Sequence, residues 1–258
     1  MNIHPTETSP RGFFESLKSG TAARELVETY QHEREIMRRF HSEVFSLMAK
    51  RAFYVCARRI GIPVRKLEGQ PTVVFDSELE MALLNIFCLM LDDRCGVTPR
   101  KKFVRAHAGD ADPDIAAAVA QFDGYRYSWF LALETLPGTA LLCEDLIAGG
   151  EVVVSDIHLS QSIAPGSVMM GGVLPVTGAA GPCHMTDGAW LPTGMPPREA
   201  IDYLIETTFE NLHIHKTPPC TLKDSEAAAF AALSIRSGLD SGCGERVTYN
   251  PGDEGEDV

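Results

Sequence analysis

The sequence predicts an α+β fold: an N-terminal helical part packed on a small antiparallel β-barrel, followed by helices and a mobile acidic tail. Three observations predict it. Apolar residues between Leu26 and Cys56 recur at spacings of three, four or seven, the stripe of an amphipathic helix. From Tyr127 to Trp190, short β-prone runs alternate with Gly/Pro turn signals, the pattern of a small barrel or curled sheet. Beyond Pro196 helical spacing returns, and after Gly238 Gly, Asp and Glu dominate with no apolar period.

These patterns divide the chain into a flexible N-terminus (1–20), a helical part (21–125), a small β-barrel (126–192), C-terminal helices (193–239) and a disordered acidic tail (240–258). Within the first segment, Gly12 to Leu17 can form one docked turn. Thr21 opens a helical pattern that runs to Ile60 and is stopped by Gly61 and Pro63. Forty residues exceed an ordinary globular helix, so an interruption is expected. Pro71 to Phe75 reads as a strand. Ser77 and Glu80 form a capping box ahead of a helix that buries Met81, Leu84, Phe87, Cys88 and Leu91. A short Ala-rich helix spans Asp114 to Phe122.

In the β-prone region the runs are Tyr127–Thr135, Ala140–Ile147, Glu151–His158 and Ser167–Val176, punctuated by Pro137-Gly138, Gly149-Gly150 and Pro165-Gly166. Cys183–Met185 and Ala189–Leu191 add edge strands. Pro196-Pro197 opens a helix with Ile201, Leu204, Ile205, Thr208 and Phe209 on one face. Ser225 to Arg236 is a last short helix.

Composition places the chain among ordinary soluble proteins, with 45% hydrophobic and 22% charged residues. No run approaches the roughly 18 apolar residues of a membrane helix, and Met1 to Glu7 lacks the basic and apolar regions of a secretory signal. A cytoplasmic location with no membrane contact is the expectation. Seven cysteines without a C-x-x-C pair argue against a disulfide framework. The net charge of −12 is uneven: residues 1–105 balance to +4, whereas residues 106–186 and 187–258 each balance to −8.

The stretch Glu144 to Asp156 followed by Leu159 to Gly166 resembles uncharacterised bacterial proteins that pair a helical half with a small barrel. The likeness covers roughly residues 75–185. Members often carry a zinc-binding SEC-C tail, and the resemblance implies no activity. The last twenty residues here hold one Cys and no His, so that zinc knuckle is absent.

Few residues assemble into chemistry. His213 and His215, two apart, can face one metal from an extended segment, with Cys220 as a further ligand, and zinc is the cofactor this set suits. At a helix end the same pair reads first as ordinary surface histidines. Cys183-His184 are adjacent, so in a strand they face opposite ways and form no nucleophile–base pair. Gly171-Gly172 and Gly178 to Gly181 match no phosphate-binding loop. Asp110, Asp112 and Asp114 lack the Gly and distal Glu of a calcium loop and read as capping residues. Between residues 38 and 66, eight Lys and Arg oppose only Glu43, and Arg94, Arg100, Lys101, Lys102 and Arg105 form a second cluster. Arg51, Arg58 and Arg65 are the candidate nucleic-acid contacts. Docking of these basic helices on the acidic barrel and tail is the competing account. The leading expectation is a non-enzymatic cytosolic binding or adaptor protein. Its barrel loops, with Trp129 and Trp190, would meet an unknown protein or peptide partner.

Overall fold

The computed structural model describes residues 8–91 and 97–242. Helix α1 (Pro10–Leu17) starts where Ser9 caps it, its hydroxyl accepting from Gly12 N–H, with Pro10 at the first helical position. The expected docked turn is therefore a full two-turn helix that buries Phe13, Phe14 and Leu17. The long stripe breaks at Leu47–Ala49 into α2 (Thr21–Ser46) and α3 (Lys50–Arg59). A two-stranded hairpin follows, β1 (Val64–Leu67) and β2 (Gln70–Val73).

Helix α4 (Glu78–Met90) is capped by Ser77, which accepts from Glu80 N–H at 3.2 Å. The Glu80 carboxylate reaches back to Asp76 N–H at 2.8 Å, one residue before the expected partner. Met81 is 46% exposed, because the helix turns Leu79, Leu83 and Leu84 inward instead. Next come α5 (Pro99–Ala106) and α6 (Pro113–Asp123). Asp112 caps α6, accepting from Asp114 and Ile115 N–H, while Asp114 pairs with Arg39. The aspartate triplet thus serves capping and an ion pair.

The barrel strands are β3 (Arg126–Leu136), β4 (Ala140–Asp145), β5 (Glu151–Ser155), β6 (Val168–Pro175) and β7 (Cys183–Thr186). Helix α7 (Ile157–Ser162) lies between β5 and β6, capped by Asp156. The spatial order β3-β4-β5-β7-β6 closes through a β3–β6 pairing. Every pair is antiparallel except β5–β7, which runs parallel. Cys183–Thr186 is therefore the strand that closes the ring rather than an edge. A five-stranded Greek-key barrel with this order, and a helix between its third and fourth strands, has the connectivity of an OB-fold. Strand β8 (Leu191–Gly194) adds to the start of β6.

Strand alternation separates two faces. Phe130, Leu141, Cys143, Val154, Met169 and Trp190 fill the barrel, and the Trp190 ring stacks on Phe130 at 4.8 Å. Gly171 faces the same interior. A Cβ there would lie 2.1 Å from the Trp190 ring, so only glycine admits the indole.

Outward residues join the main core. Trp129 packs on Phe230 of α9 (Asp224–Asp240) and donates to Ser234 Oγ at 2.9 Å. This last helix is longer than expected. Helix α8 (Arg198–Asn211) buries Ile201, Ile205 and Phe209 but leaves Leu204 47% exposed. Helix α1 covers β4 and β5, and the α2 carboxylate of Glu33, 3% exposed, binds the β6–β7 loop through Thr177 and Gly178. Helical part and barrel thus share one core. The tail from residue 243, Cys95 and Arg94 lie outside the described residues.

Candidate functional site

Pairing registers place the barrel loops at two ends. Leu136 faces Ala140, so Pro137-Gly138 turns at one end, where α7 and Pro165-Gly166 also lie. Gly149-Gly150 turns at the other, beyond Asp145. The three expected loops therefore do not make one surface. Trp129 and Trp190 are 7% and 5% exposed, and each indole N–H is held by this chain, Trp190 by Gly172 O at 2.7 Å. Neither is free for a partner in this state.

His213 and His215 are exposed and flank buried Ile214 just after α8. Cys220 is half-buried, its N–H donating to Ile147 O. Among the described residues, no group of three His, Cys, Asp or Glu is gathered to hold a metal ion. The helix break puts Arg51 and Arg58 on the solvent side of α3, with Arg65 on β1. Other cations do dock internally: Arg11 and Lys18 on Glu134 and Glu151, Arg39 on Asp114, and Arg100 and Lys101 on Asp224.

The built polar site lies at the barrel mouth, at the Gly149 end. Asp145, 1% exposed, closes β4 with its carboxylate turned inward. One oxygen accepts from Ser128 Oγ and from Ile147 and Ala148 N–H; the other accepts from Arg126 Nε at 3.1 Å. Arg126 Nη1 also donates to His184 Nε2, 3.2 Å away across the mouth. Burial, then the neighbouring guanidinium, lower the His184 pKa to about 4, so the imidazole is neutral and an acceptor. Carboxylate and imidazole together hold the guanidinium in one orientation.

In front of it opens a cleft of about 190 Å³. Its walls are Tyr125 to Ser128 of the barrel, Ile147 and Ala148 of the next turn, Met90, Arg100 of α5, residues 220–222, and Asp224 and Ala227 of α9. Gly149 sets this wall. Its φ is +81°, and a Cβ would meet Pro219 at 2.5 Å, so glycine alone lets the 218–222 segment close down.

Arg100 is 8% exposed, with Nη1 donating to Phe122 O at 3.1 Å and Nη2 to Asp224 at 3.0 Å. Its Nε and the Tyr127 hydroxyl are buried and, among the described residues, have no hydrogen-bond partner. Burial raises the Tyr127 pKa well above the phenol range, so the group is a neutral O–H. Tyr125 donates to Asp187 Oδ2 at 3.1 Å.

Sequence patterning named His184 only beside Cys183 and Arg100 only within a basic cluster, and it did not bring Arg126, Asp145 and His184 together. One signal was present: Arg126 is the sole Lys or Arg in residues 106–186.

Nucleophilic chemistry has no geometry here. The Ser128 hydroxyl donates its hydrogen bond to Asp145, and the imidazole engages Arg126 instead of a hydroxyl. Burial pushes the Cys183 thiol up to about 12, far from a thiolate at neutral pH.

Fold and site together define an α+β protein with a helix-wrapped, OB-like barrel and a cationic cleft at its mouth. The chain belongs to the family of unknown function DUF7986, whose profile matches residues 24–185, from α2 through β7. No curated protein and no solved structure matches it.

Proposed function

We propose that the protein is a non-enzymatic binding protein whose ligand is a small molecule held in the barrel-mouth cleft. One observation supports this reading: Arg100 and Tyr127, whose Nε and Oη are buried with no hydrogen-bond partner among the described residues, both line the cleft. Unpaired buried donors are costly, about 1–3 kcal/mol each, and an occupant that accepts from them removes that cost. Size argues the same way. At about 190 Å³ the cleft lies below the roughly 300–1,000 Å³ of drug-sized pockets, so a nucleotide or peptide side does not fit.

The face through which OB-type barrels take nucleic acid, their second and third strands with adjoining loops, supports the same choice. Here that face, β4 and β5, is under α1 and rimmed by Glu134 and Glu151. The test fills the cleft. Ala148 is exposed at its rim, so Ala148→Trp should fold and lose small-molecule binding measured by ligand-observed NMR. Equal binding by that variant would overturn the reading.

Arg51, Arg58 and Arg65, which are exposed and have no ion pair among the described residues, favour a second reading, nucleic-acid binding on the α3 and β1 surface. Affinity that falls steeply with salt and is lost in Arg51→Ala with Arg58→Ala would support it; salt-insensitive or absent binding would remove it.

A further inference from the structure

Resting on that cleft reading, we infer that the occupant is a small organic carboxylate, its oxygens between Arg126 and Arg100 and its aliphatic end on Met90, Ile147 and Leu222. The unmet groups define the chemistry. Guanidinium and phenol nitrogen and oxygen hydrogens are donors, so what is missing is an acceptor. Arg126 is held through Nε by Asp145 and through Nη1 by His184, and its side chain, 34% exposed, lines the cleft. Arg100 is pinned likewise by Phe122 O and Asp224 and lies over the Tyr125 ring at 5.8 Å. Two fixed guanidiniums present the planar donor arrays that match a carboxylate.

Charge and surface choose among anions. Three cations, Arg100, Lys101 and Arg126, stand against two carboxylates, Asp145 and Asp224, a balance of +1, so the cleft favours a single negative charge. The remaining walls are mainly apolar, Met90, Ile147, Leu222 and Ala227, which suits a short alkyl chain better than a second charged group. A phosphate dianion would leave both a charge and that apolar wall unmatched.

The test titrates the full chain with butyrate, butyramide, butylamine and inorganic phosphate, by calorimetry and by chemical shift changes. Butyrate is expected to bind about tenfold or more tightly than butyramide, the difference expected of charge-assisted hydrogen bonds. Tyr127→Phe removes a hydroxyl that has no partner among the described residues, so it should keep the melting temperature and weaken butyrate several-fold. Arg126→Gln should abolish the preference for butyrate over butyramide; because it also unpairs buried Asp145, Tyr127→Phe is the variant that decides if folding fails. Equal binding of butyramide, or tighter binding of butylamine or phosphate, overturns the carboxylate and leaves the cleft reading intact. If none of the four shifts cleft resonances, both fall.

Discussion

Two buried ionisable residues near the mouth carry opposite pH signatures. Burial raises the Asp187 carboxyl to about 6, against the hydrogen bonds from Ala189 N–H, Tyr125 and Gly172 N–H that favour its anion. A raised folded pKa means stability present below the unfolded value of 3.8 and lost as pH rises through about 6. His184 works the other way. Its folded pKa of about 4 against 6.5 means stability present above 6.5 and lost as pH falls toward 4. Each window is worth on the order of 3 kcal/mol, so in the native chain the two nearly cancel between pH 4 and 6. Relative to the native chain, Asp187→Asn should lose stability on acidification through that window, and His184→Gln should gain it. Urea melts at pH 4, 5, 6 and 7 check this; three parallel pH profiles would refute it.

At the scale of elements, the contact between α2 and the barrel turns on Glu33. Its carboxylate accepts from Thr177 N–H, Thr177 Oγ1, Gly178 N–H and the Gln121 amide. Glu33→Ala leaves several buried donors unanswered at once and should cost about 3–5 kcal/mol, read as a drop in the denaturation midpoint. A change under about 1 kcal/mol would show that the β6–β7 loop needs no tether. Element identity was largely legible in the sequence, since period and turn chemistry are local. The Ser77 cap, the strand runs and the Pro-led helix α8 follow from neighbouring residues alone. What was not legible depends on distant partners. Met81 and Leu204 have helical apolar spacing yet face solvent, because which side of a helix is covered depends on its tertiary neighbours and not on its own period. Cys183–Thr186 looked like an edge because four residues carry no sign of a parallel partner. The site was least legible: Arg126, Asp145 and His184 are separated by up to 58 positions and meet only through barrel closure.

The whole molecule is bound by a shared interior, with helices and barrel strands in one apolar cluster and a second cluster inside the barrel. Calorimetric unfolding should therefore give a single transition, and a chain cut between Gly124 and Tyr125 should yield no folded barrel fragment; two resolved transitions would contradict this. The acidic C-terminal excess is partly answered within the fold. Arg11 of α1 and Lys18, its C-cap, lie on Glu134 and Glu151 in exposed pairs that solvent screens, while Phe13, Phe14 and Leu17 supply most of the hold.

That placement of α1 has a consequence for how the scaffold can change. With its broad side already occupied by α1, the barrel offers the proposed ligand the mouth at the Gly149 end, and on that proposal variation in what it recognises is written into the positions around the cleft. Freeing the helix would not uncover a dormant nucleic-acid platform, since Glu134 of β3 and Glu151 at the start of β5 border that face and repel phosphate.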